Sequence, residues 1–134
     1  MIIRPLQREK WAKTYPLIHE LRTRLLESEF LEFLSKQTLQ GYVLTGAFLN
    51  DVIVGLVGYR SVSTLARGTH LHIDDLVVSS TCRGLGIGKK LMDFAEAFGN
   101  SFCKPMFLDS RPEVIEFYEK RGYQPHAALL MRKG

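Results

Sequence analysis

Apolar residues recur at steps of three and four in two segments near the start of the chain, which is the spacing of an amphipathic helix. The first predicted helix covers residues 9–26. Its apolar face consists of Trp11, Tyr15, Ile18, Leu21 and Leu25. The second predicted helix covers Glu29–Leu39 and ends at Gly41. A short strand over Ile2–Arg4, which Pro5 ends, is predicted ahead of both helices.

The pattern changes to that of β-strands after the second helix. Apolar residues dominate 42–49 and 52–62, and the turn pair Asn50-Asp51 lies between them, which predicts an antiparallel hairpin. A loop at 63–68 leads to a further predicted strand over His70–Val78. This strand becomes wholly apolar at its end and therefore reads as partly buried.

Helix and strand alternate in the rest of the chain. The helical period returns with Ile87, Leu91, Phe94 and Phe98. Pro105–Leu108 is a predicted short buried strand. Ser110 and Glu113 have the spacing of a capping box, with Ser110 as the cap of a helix that ends at Gly122. Ala128–Arg132 is the last predicted strand.

This order of elements predicts an α/β (α+β) fold, in which about six strands form a mixed central sheet flanked by about four helices. The length of 134 residues fits a single domain covering 1–134. Apolar residues make up 46% of the chain and charged residues 24%, the balance of a soluble globular protein. No apolar run approaches the roughly 18 residues of a membrane span, and the first ten residues do not resemble a signal peptide.

Charge and cysteine content narrow the expectations further. The net charge of +4 favours anionic partners only weakly, and the basic residues are scattered without interleaved aromatic residues. We therefore expect neither a nucleic acid nor a membrane as partner. Cys82 and Cys103 form no metal-binding or disulfide pattern, so we expect structural cysteines, no metal and a reduced cytoplasmic protein.

A glycine-rich segment, CRGLGIGKKL at 82–91, lies between a predicted strand and a predicted helix. The first turn of a helix has unpaired N–H groups and a positive dipole end, so it binds anions. The spacing does not match a P-loop or a dinucleotide fingerprint, because the glycines stand at alternate positions and Lys90 follows Gly88-Lys89. What it fits is R-x-x-G-x-G, beginning at Arg83. We therefore expect a phosphate group here.

Two stretches resemble the signatures of the GNAT superfamily of N-acetyltransferases. The run from Leu76 to Leu91, with its Arg83–Gly88 core, is similar to the acetyl-CoA motif of that family. Phe117–Tyr123 is similar to its FYxxxGF motif, and the order of elements matches over nearly the whole chain. The resemblance implies an acetyl-CoA-dependent N-acetyltransferase that moves the acetyl group directly to a primary amine, with acetyl-CoA as cosubstrate.

The resemblance also implies how the cosubstrate is held. The strand at 70–78 would carry a bulge and part from 105–109, and the pantetheine arm would lie in the gap between them. Family members often have asparagine where this chain has Arg111, which could contact a coenzyme phosphate or only cap a helix. The cofactor-binding residues so implied are Val77, Val78, Arg83, Gly84, Leu85, Gly86, Ile87, Gly88, Lys89, Arg111 and Phe117.

Acetyl transfer needs a proton donor for the sulfur and a base for the amine. The resemblance places Tyr118 at the sulfur, where a phenol of pKa about 10 could protonate the thiolate; spacing alone fits a core aromatic equally well. For the base we expect Asp75 or His72, acting directly or through water, although both could be solvated strand residues. A main-chain amide at the bulge, near Val78, would stabilise the oxyanion. The other polar candidates on that strand are His70 and Asp74.

The acceptor is not fixed by the sequence. Residues 9–40 and the loop 63–68 would surround it, and small amines, aminoglycosides, peptide N-termini and protein lysines all stay open. The alternatives in function are a non-catalytic acyl-CoA-binding sensor or interaction module and a basic nucleic-acid-binding domain. Many relatives pair through their last strands, so a homodimer is an expectation of the resemblance.

Overall fold

Five strands form one sheet, in chain order, in the computed structural model, which describes residues 1–102, 105–126 and 129–134. The strands are β1 (Ile2–Pro5), β2 (Tyr42–Leu49), β3 (Val52–Thr64), β4 (Gly68–Val78) and β5 (Met106–Leu108). The helices are α1 (Tyr15–Leu21), α2 (Glu27–Leu39), α3 (Ile87–Phe102) and α4 (Ile115–Glu119). A 3-10 helix covers Arg8–Thr14, and single 3-10 turns lie at Ser80–Cys82 and Pro112–Val114.

The sheet is antiparallel from β1 to β4, and β5 is added parallel to β4. The parallel pairing is short, because it begins at Leu71↔Met106 and ends at Ile73↔Leu108. Beyond Ile73, β4 continues for five residues without β5 beside it. The two strands therefore part on the side where their carboxyl ends lie.

A hydrophobic core fills each face of the sheet. On one face α3 packs its apolar stripe, including Leu91 and Met92, against Val57 and Leu71 of the sheet. On the other face α1 and α2 contribute Ile18, Phe30 and Leu34, and the segment ahead of α1 contributes Trp11. The mixed sheet with helices on both faces confirms the predicted fold class, with one strand fewer than expected among the described residues.

The predicted helix over 9–26 is interrupted. Residues Arg8–Thr14 form a 3-10 helix, and the α-helix covers only Tyr15–Leu21. The cause is Pro16, which has no N–H to donate and is tolerated only in the first turn of a helix. The apolar spacing did predict the buried face correctly, since Trp11 and Ile18 are 6% and 5% exposed.

Two expectations near the end of the chain were wrong. Ser110 does not cap a helix: its hydroxyl donates to the carbonyl of Arg111, and Arg111 itself occupies the cap position of the Pro112–Val114 turn. The predicted strand at Ala128–Arg132 is not formed by its residues 129–132, and residue 128 lies outside the described residues. A short apolar run forms a strand only where the edge of a sheet is available to pair with it, and the local sequence does not indicate whether such an edge lies nearby.

The Tyr42 side chain crosses β3 to reach β4. Its hydroxyl donates a hydrogen bond of 2.7 Å to Oδ2 of Asp75, although Tyr42 starts on β2. Its ring and hydroxyl pass over Gly58, where a Cβ atom would overlap the phenol oxygen. Gly58 is therefore required for Tyr42 to reach Asp75.

We expect Gly58→Ala to lower the free energy of unfolding by about 1–3 kcal/mol, because the new methyl group displaces the buried Tyr42 ring. Urea unfolding followed by circular dichroism measures this change. Gly46→Ala on β2 is the matched control, since its Cβ would come no closer than 3.2 Å to any atom, with the ends of the Leu6 and Phe48 side chains as its nearest neighbours. Equal losses in the two variants would contradict the prediction.

Candidate active site

One extra residue interrupts the regular alternation of β4. Opposite β3, Gly58 pairs with Asp75 while Tyr59 pairs with Ile73, so Asp74 forms a β-bulge. A bulge shifts the following side chains to the other face of the sheet. Asp75 consequently lies on the α1/α2 face, where it meets Tyr42. The bulge expected near Val78 is thus located at Asp74, four residues earlier.

A crevice of about 510 Å³ opens where β4 and β5 part. The outer part of β4, including Val77 and Val78, forms one wall, and Phe117 and Tyr118 of α4 form the opposite wall. The start of α3 closes one end of the crevice. A second cavity of about 530 Å³ adjoins it on the α1/α2 face and shares Asp74, Asp75 and the residues 109–111 with it.

The glycine-rich segment runs along the crevice at the N-terminus of α3. Gly84 and Gly86 have φ angles of +85° and +76°, which non-glycine residues adopt only with strain. Gly84, Gly86 and Gly88 line the crevice together with Arg83, Ile87 and Lys89. The Leu85 side chain is 64% exposed and does not line it, so only its main chain can take part.

This arrangement fits a diphosphate. The first-turn amides of α3 have no intrahelical partners, and the positive helix end is joined by two cations, Arg83 and Lys89. Beyond Ile73, β4 has no neighbouring strand on its β5 side, and this edge is open to an extended amide-containing chain. The crevice is accordingly suited to a long ligand with an anionic end and an amide-rich arm.

Tyr118 lies on the crevice wall with its ring edge against Phe117, at 5.1 Å between centroids. Burial raises the pKa of Tyr118, and the positive charges of Arg111 and Arg22 offset this increase only in part. The phenol therefore stays protonated at neutral pH. Among the described residues no hydrogen-bond partner of its hydroxyl is found, so its proton is free for a ligand.

Both oxygens of Asp75 are engaged by protein groups. Arg22 donates to Oδ1 at 2.9 Å, and Tyr42 donates to Oδ2. Burial first, and then the charge and the hydrogen bond of Asp75, raises the pKa of Tyr42 well above its ordinary value. Tyr42 thus remains a permanent donor, and Asp75 is held as a paired carboxylate.

His72 is backed by a different carboxylate. Its Nδ1 lies 3.2 Å from Oδ1 of Asp74, whose Oδ2 accepts a 2.8 Å hydrogen bond from Arg60. Burial acts to raise the pKa of Asp74, but the hydrogen bonds from His72 and Arg60 outweigh it and lower that pKa. Asp74 is therefore ionised and accepts the Nδ1–H of His72, and in the neutral form of the ring this tautomer leaves Nε2 with a lone pair.

The structure separates the other sequence candidates. His70 is 2% exposed, with Nδ1 3.0 Å from the carbonyl of Gly68, and it lines neither cavity. Cys82 is half-buried and lines the crevice, whereas Cys103 lies outside the described residues. Arg111 lines both cavities from an exposed position.

Sequence reasoning missed the three residues that anchor the carboxylates, namely Arg22, Tyr42 and Arg60. Arg22 also donates to the carbonyl of Asp74 at 2.6 Å and so ties the end of α1 to the bulge. No local pattern marks these residues. Within 1–102, 105–126 and 129–134 no group of histidine, cysteine or acidic residues is placed to hold a metal, and no helix could cross a membrane.

The lowered pKa of Asp74 makes its contribution to stability depend on pH. The contribution is fully present above the ordinary value of 3.8 and is lost as the pH falls through the lower pKa of the folded state. We expect Asp74→Asn to lower the free energy of unfolding at pH 5–7, with a deficit that shrinks towards pH 3. Urea unfolding of both proteins across this range tests it, and a deficit that stays constant down to pH 3 would contradict it.

Comparisons with known proteins agree with this geometry. The Acetyltransferase (GNAT) family model matches residues 4–123. YhdJ of Bacillus subtilis (strain 168), named as an uncharacterized N-acetyltransferase, is 37% identical over 131 residues, covering 93% of this chain and 92% of that protein.

Solved structures share the fold. An acetyltransferase of Trypanosoma brucei superposes with a TM-score of 0.80 at 25% identity and covers 98% of both chains. A predicted acetyltransferase of Clostridium acetobutylicum, solved with acetyl-CoA, has a TM-score of 0.84 at 15% identity, covering 98% of this chain and 95% of that one. The chain belongs to the GNAT family of acetyltransferases and is an acetyl-CoA-dependent enzyme.

Proposed function

We propose that this enzyme transfers the acetyl group of acetyl-CoA directly to a primary amine, with His72 as the general base and Tyr118 as the hydrogen-bond donor to the sulfur. The observation that carries the proposal is the placement of these two residues. His72 lines the cavity on the α1/α2 face, Tyr118 lines the crevice, and the two spaces meet at the bulge.

The crevice is the proposed acetyl-CoA site. Main-chain amides of residues 84–89 hold the diphosphate, with Arg83 and Lys89 adding charge at its mouth. The outer edge of β4 at Val77 and Val78 pairs with the pantetheine arm, and Phe117 covers it from α4. Arg111, at the junction of the two spaces, is available to a phosphate or to the arm.

His72 is favoured over Asp75 as the base. Asp74 fixes the imidazole through Nδ1, so that Nε2 accepts a proton from the attacking amine while Asp74 stabilises the resulting imidazolium. Asp75 is less suited to accept a proton from the amine, because Arg22 and Tyr42 each donate a hydrogen bond to one of its two oxygens. Of the two expected bases, Asp75 and His72, we therefore propose His72.

The proton balance closes with Tyr118. The C–N bond forms and the C–S bond breaks, the amine proton goes to His72, and the departing sulfur takes a hydrogen bond and then a proton from Tyr118. The proton that His72 has taken returns to Tyr118 through solvent, which restores both residues. The raised pKa keeps the Tyr118 proton in place across the working range. Acetyl-CoA supplies the activated acyl group, and no covalent enzyme step is required.

We expect His72→Gln to lower kcat by about 100-fold or more and Tyr118→Phe by about 10-fold or more, with the Kd for acetyl-CoA unchanged within about twofold. A thiol-release assay with a panel of amines, paired with calorimetric titration of coenzyme, measures both quantities. His19→Gln is the control, since His19 is exposed on α1 and lines neither cavity. Tight coenzyme binding with no turnover on any amine by the wild-type protein would instead support a non-catalytic binding module.

We expect Gly84→Ala and Gly86→Ala each to weaken coenzyme binding by about tenfold or more, because a Cβ at these φ angles forces the loop to rearrange. Calorimetry measures the Kd. Gly68→Ala is the control: its φ of +68° carries the same backbone strain at the remote β3–β4 turn. If Gly68→Ala weakened binding to the same extent, the loop would not be the coenzyme site.

A further inference from the structure

The cavity on the α1/α2 face has two chemically different walls. Helices α1 and α2 supply an apolar wall, whereas the ends of β4 and β5 supply charged groups. The apolar wall contains Ile18, Leu25, Phe30, Phe33 and Leu34. The volume of about 530 Å³ is within the range of small-molecule sites.

Phe33 is the notable member of the apolar wall. It is 42% exposed, although the neighbouring Phe30 and Leu34 of the same helix are only 5% and 3% exposed. An aromatic ring on the wall of an open cavity gains free energy when an apolar group covers it. The wall therefore favours a ligand with an apolar portion.

The charged wall holds three carboxylates, Asp74, Asp75 and Asp109. Asp74 is paired with Arg60, and Asp75 is paired with Arg22. Asp109 follows β5 at an exposed position and has no ion-pair partner among the described residues. Arg111 of the same wall balances the overall charge, so the contribution of Asp109 is local: a carboxylate without an ion-pair partner in the described chain, lying in the cavity that His72 also lines, attracts a protonated amine.

We propose that the acceptor is a small primary amine carried on an aryl or alkyl group. Its ammonium group lies beside Asp109 and His72, and its apolar group lies against Phe33. This inference rests on the proposed function, because it assigns the cavity to the acceptor of the same reaction. A phosphorylated amino sugar fits poorly, since it has no apolar group to cover Phe33 and Arg22 is already paired with Asp75.

The test uses three amines: 2-phenylethylamine, ethanolamine and glucosamine 6-phosphate. In the thiol-release assay we expect kcat/KM for 2-phenylethylamine to exceed that for each of the others by about tenfold or more. Phe33→Ala should raise KM for 2-phenylethylamine about threefold to tenfold and leave KM for ethanolamine unchanged. Leu31→Ala is the matched control, because Leu31 is 46% exposed on α2 and lies outside the cavity lining.

Asp109→Asn tests the charged wall separately. It should raise KM for 2-phenylethylamine and for ethanolamine alike, by about threefold to tenfold. Phe33→Ala, in contrast, should raise KM for 2-phenylethylamine alone. Asp109 is exposed, so its replacement leaves the fold intact. Unchanged KM values in Asp109→Asn would show that the Asp109 carboxylate does not bind the amine.

Failure of the inference and failure of the proposed function give different results. Preference for glucosamine 6-phosphate or for a peptide N-terminus would overturn the inference while the acetyl transfer stands. Absence of turnover on every amine would overturn the proposed function. In that case calorimetric titration of 2-phenylethylamine into the protein–coenzyme A complex decides the inference, since binding that Phe33→Ala weakens supports it and absence of binding overturns it.

Discussion

The bulge at Asp74 is the feature on which the site depends. By placing one extra residue in β4, it turns Asp75 to the α1/α2 face, where a regular strand would have turned it to the α3 face. It also begins where the pairing with β5 stops, immediately after Ile73. One local irregularity therefore coincides with the opening of the crevice and brings two consecutive carboxylates, Asp74 and Asp75, to the boundary between the two cavities.

Each of these carboxylates is held by a cation and by a second hydrogen-bond donor. Asp74 has Arg60 and His72, and Asp75 has Arg22 and Tyr42. A half-buried carboxylate without such partners would be neutralised or would destabilise the fold. The partners come from α1, β2, β3 and β4, so the site also cross-links the elements that surround it. The hydrogen bond between Tyr42 and Asp75 also constrains the core, because β3 must have a glycine at position 58 for the Tyr42 side chain to pass.

Local signals made the glycine-rich junction between β4 and α3, which lines the crevice, predictable. The strand end, the alternating glycines and the helix start at Ile87 are neighbours in sequence, and their spacing alone indicates an anion site. The cavity on the α1/α2 face was not predictable in the same way. Arg22 and Tyr42 stand 53 and 33 residues from Asp75, and only tertiary packing brings them together. The bulge has no marker in the sequence, and for that reason its location at Asp74, and not near Val78, could not be predicted. The apolar period continues through Pro16, so it predicts one long helix where the structure begins an α-helix at Tyr15.

Burial of Tyr118 has two opposing consequences for the proposed chemistry. A raised pKa makes the phenol a weaker acid, so complete proton transfer to a thiolate becomes less favourable. The same burial strengthens a hydrogen bond to charge that develops on the sulfur, because little water competes for it in the crevice. Tyr118 then acts mainly through this hydrogen bond while the C–S bond breaks, and the proton that it finally passes to the sulfur is replaced by the one that His72 has taken from the amine. His72 lines one cavity and Tyr118 lines the other, on either side of the bulge where the two meet. In the proposed reaction His72 therefore takes the proton of the attacking amine, and Tyr118 donates to the departing sulfur.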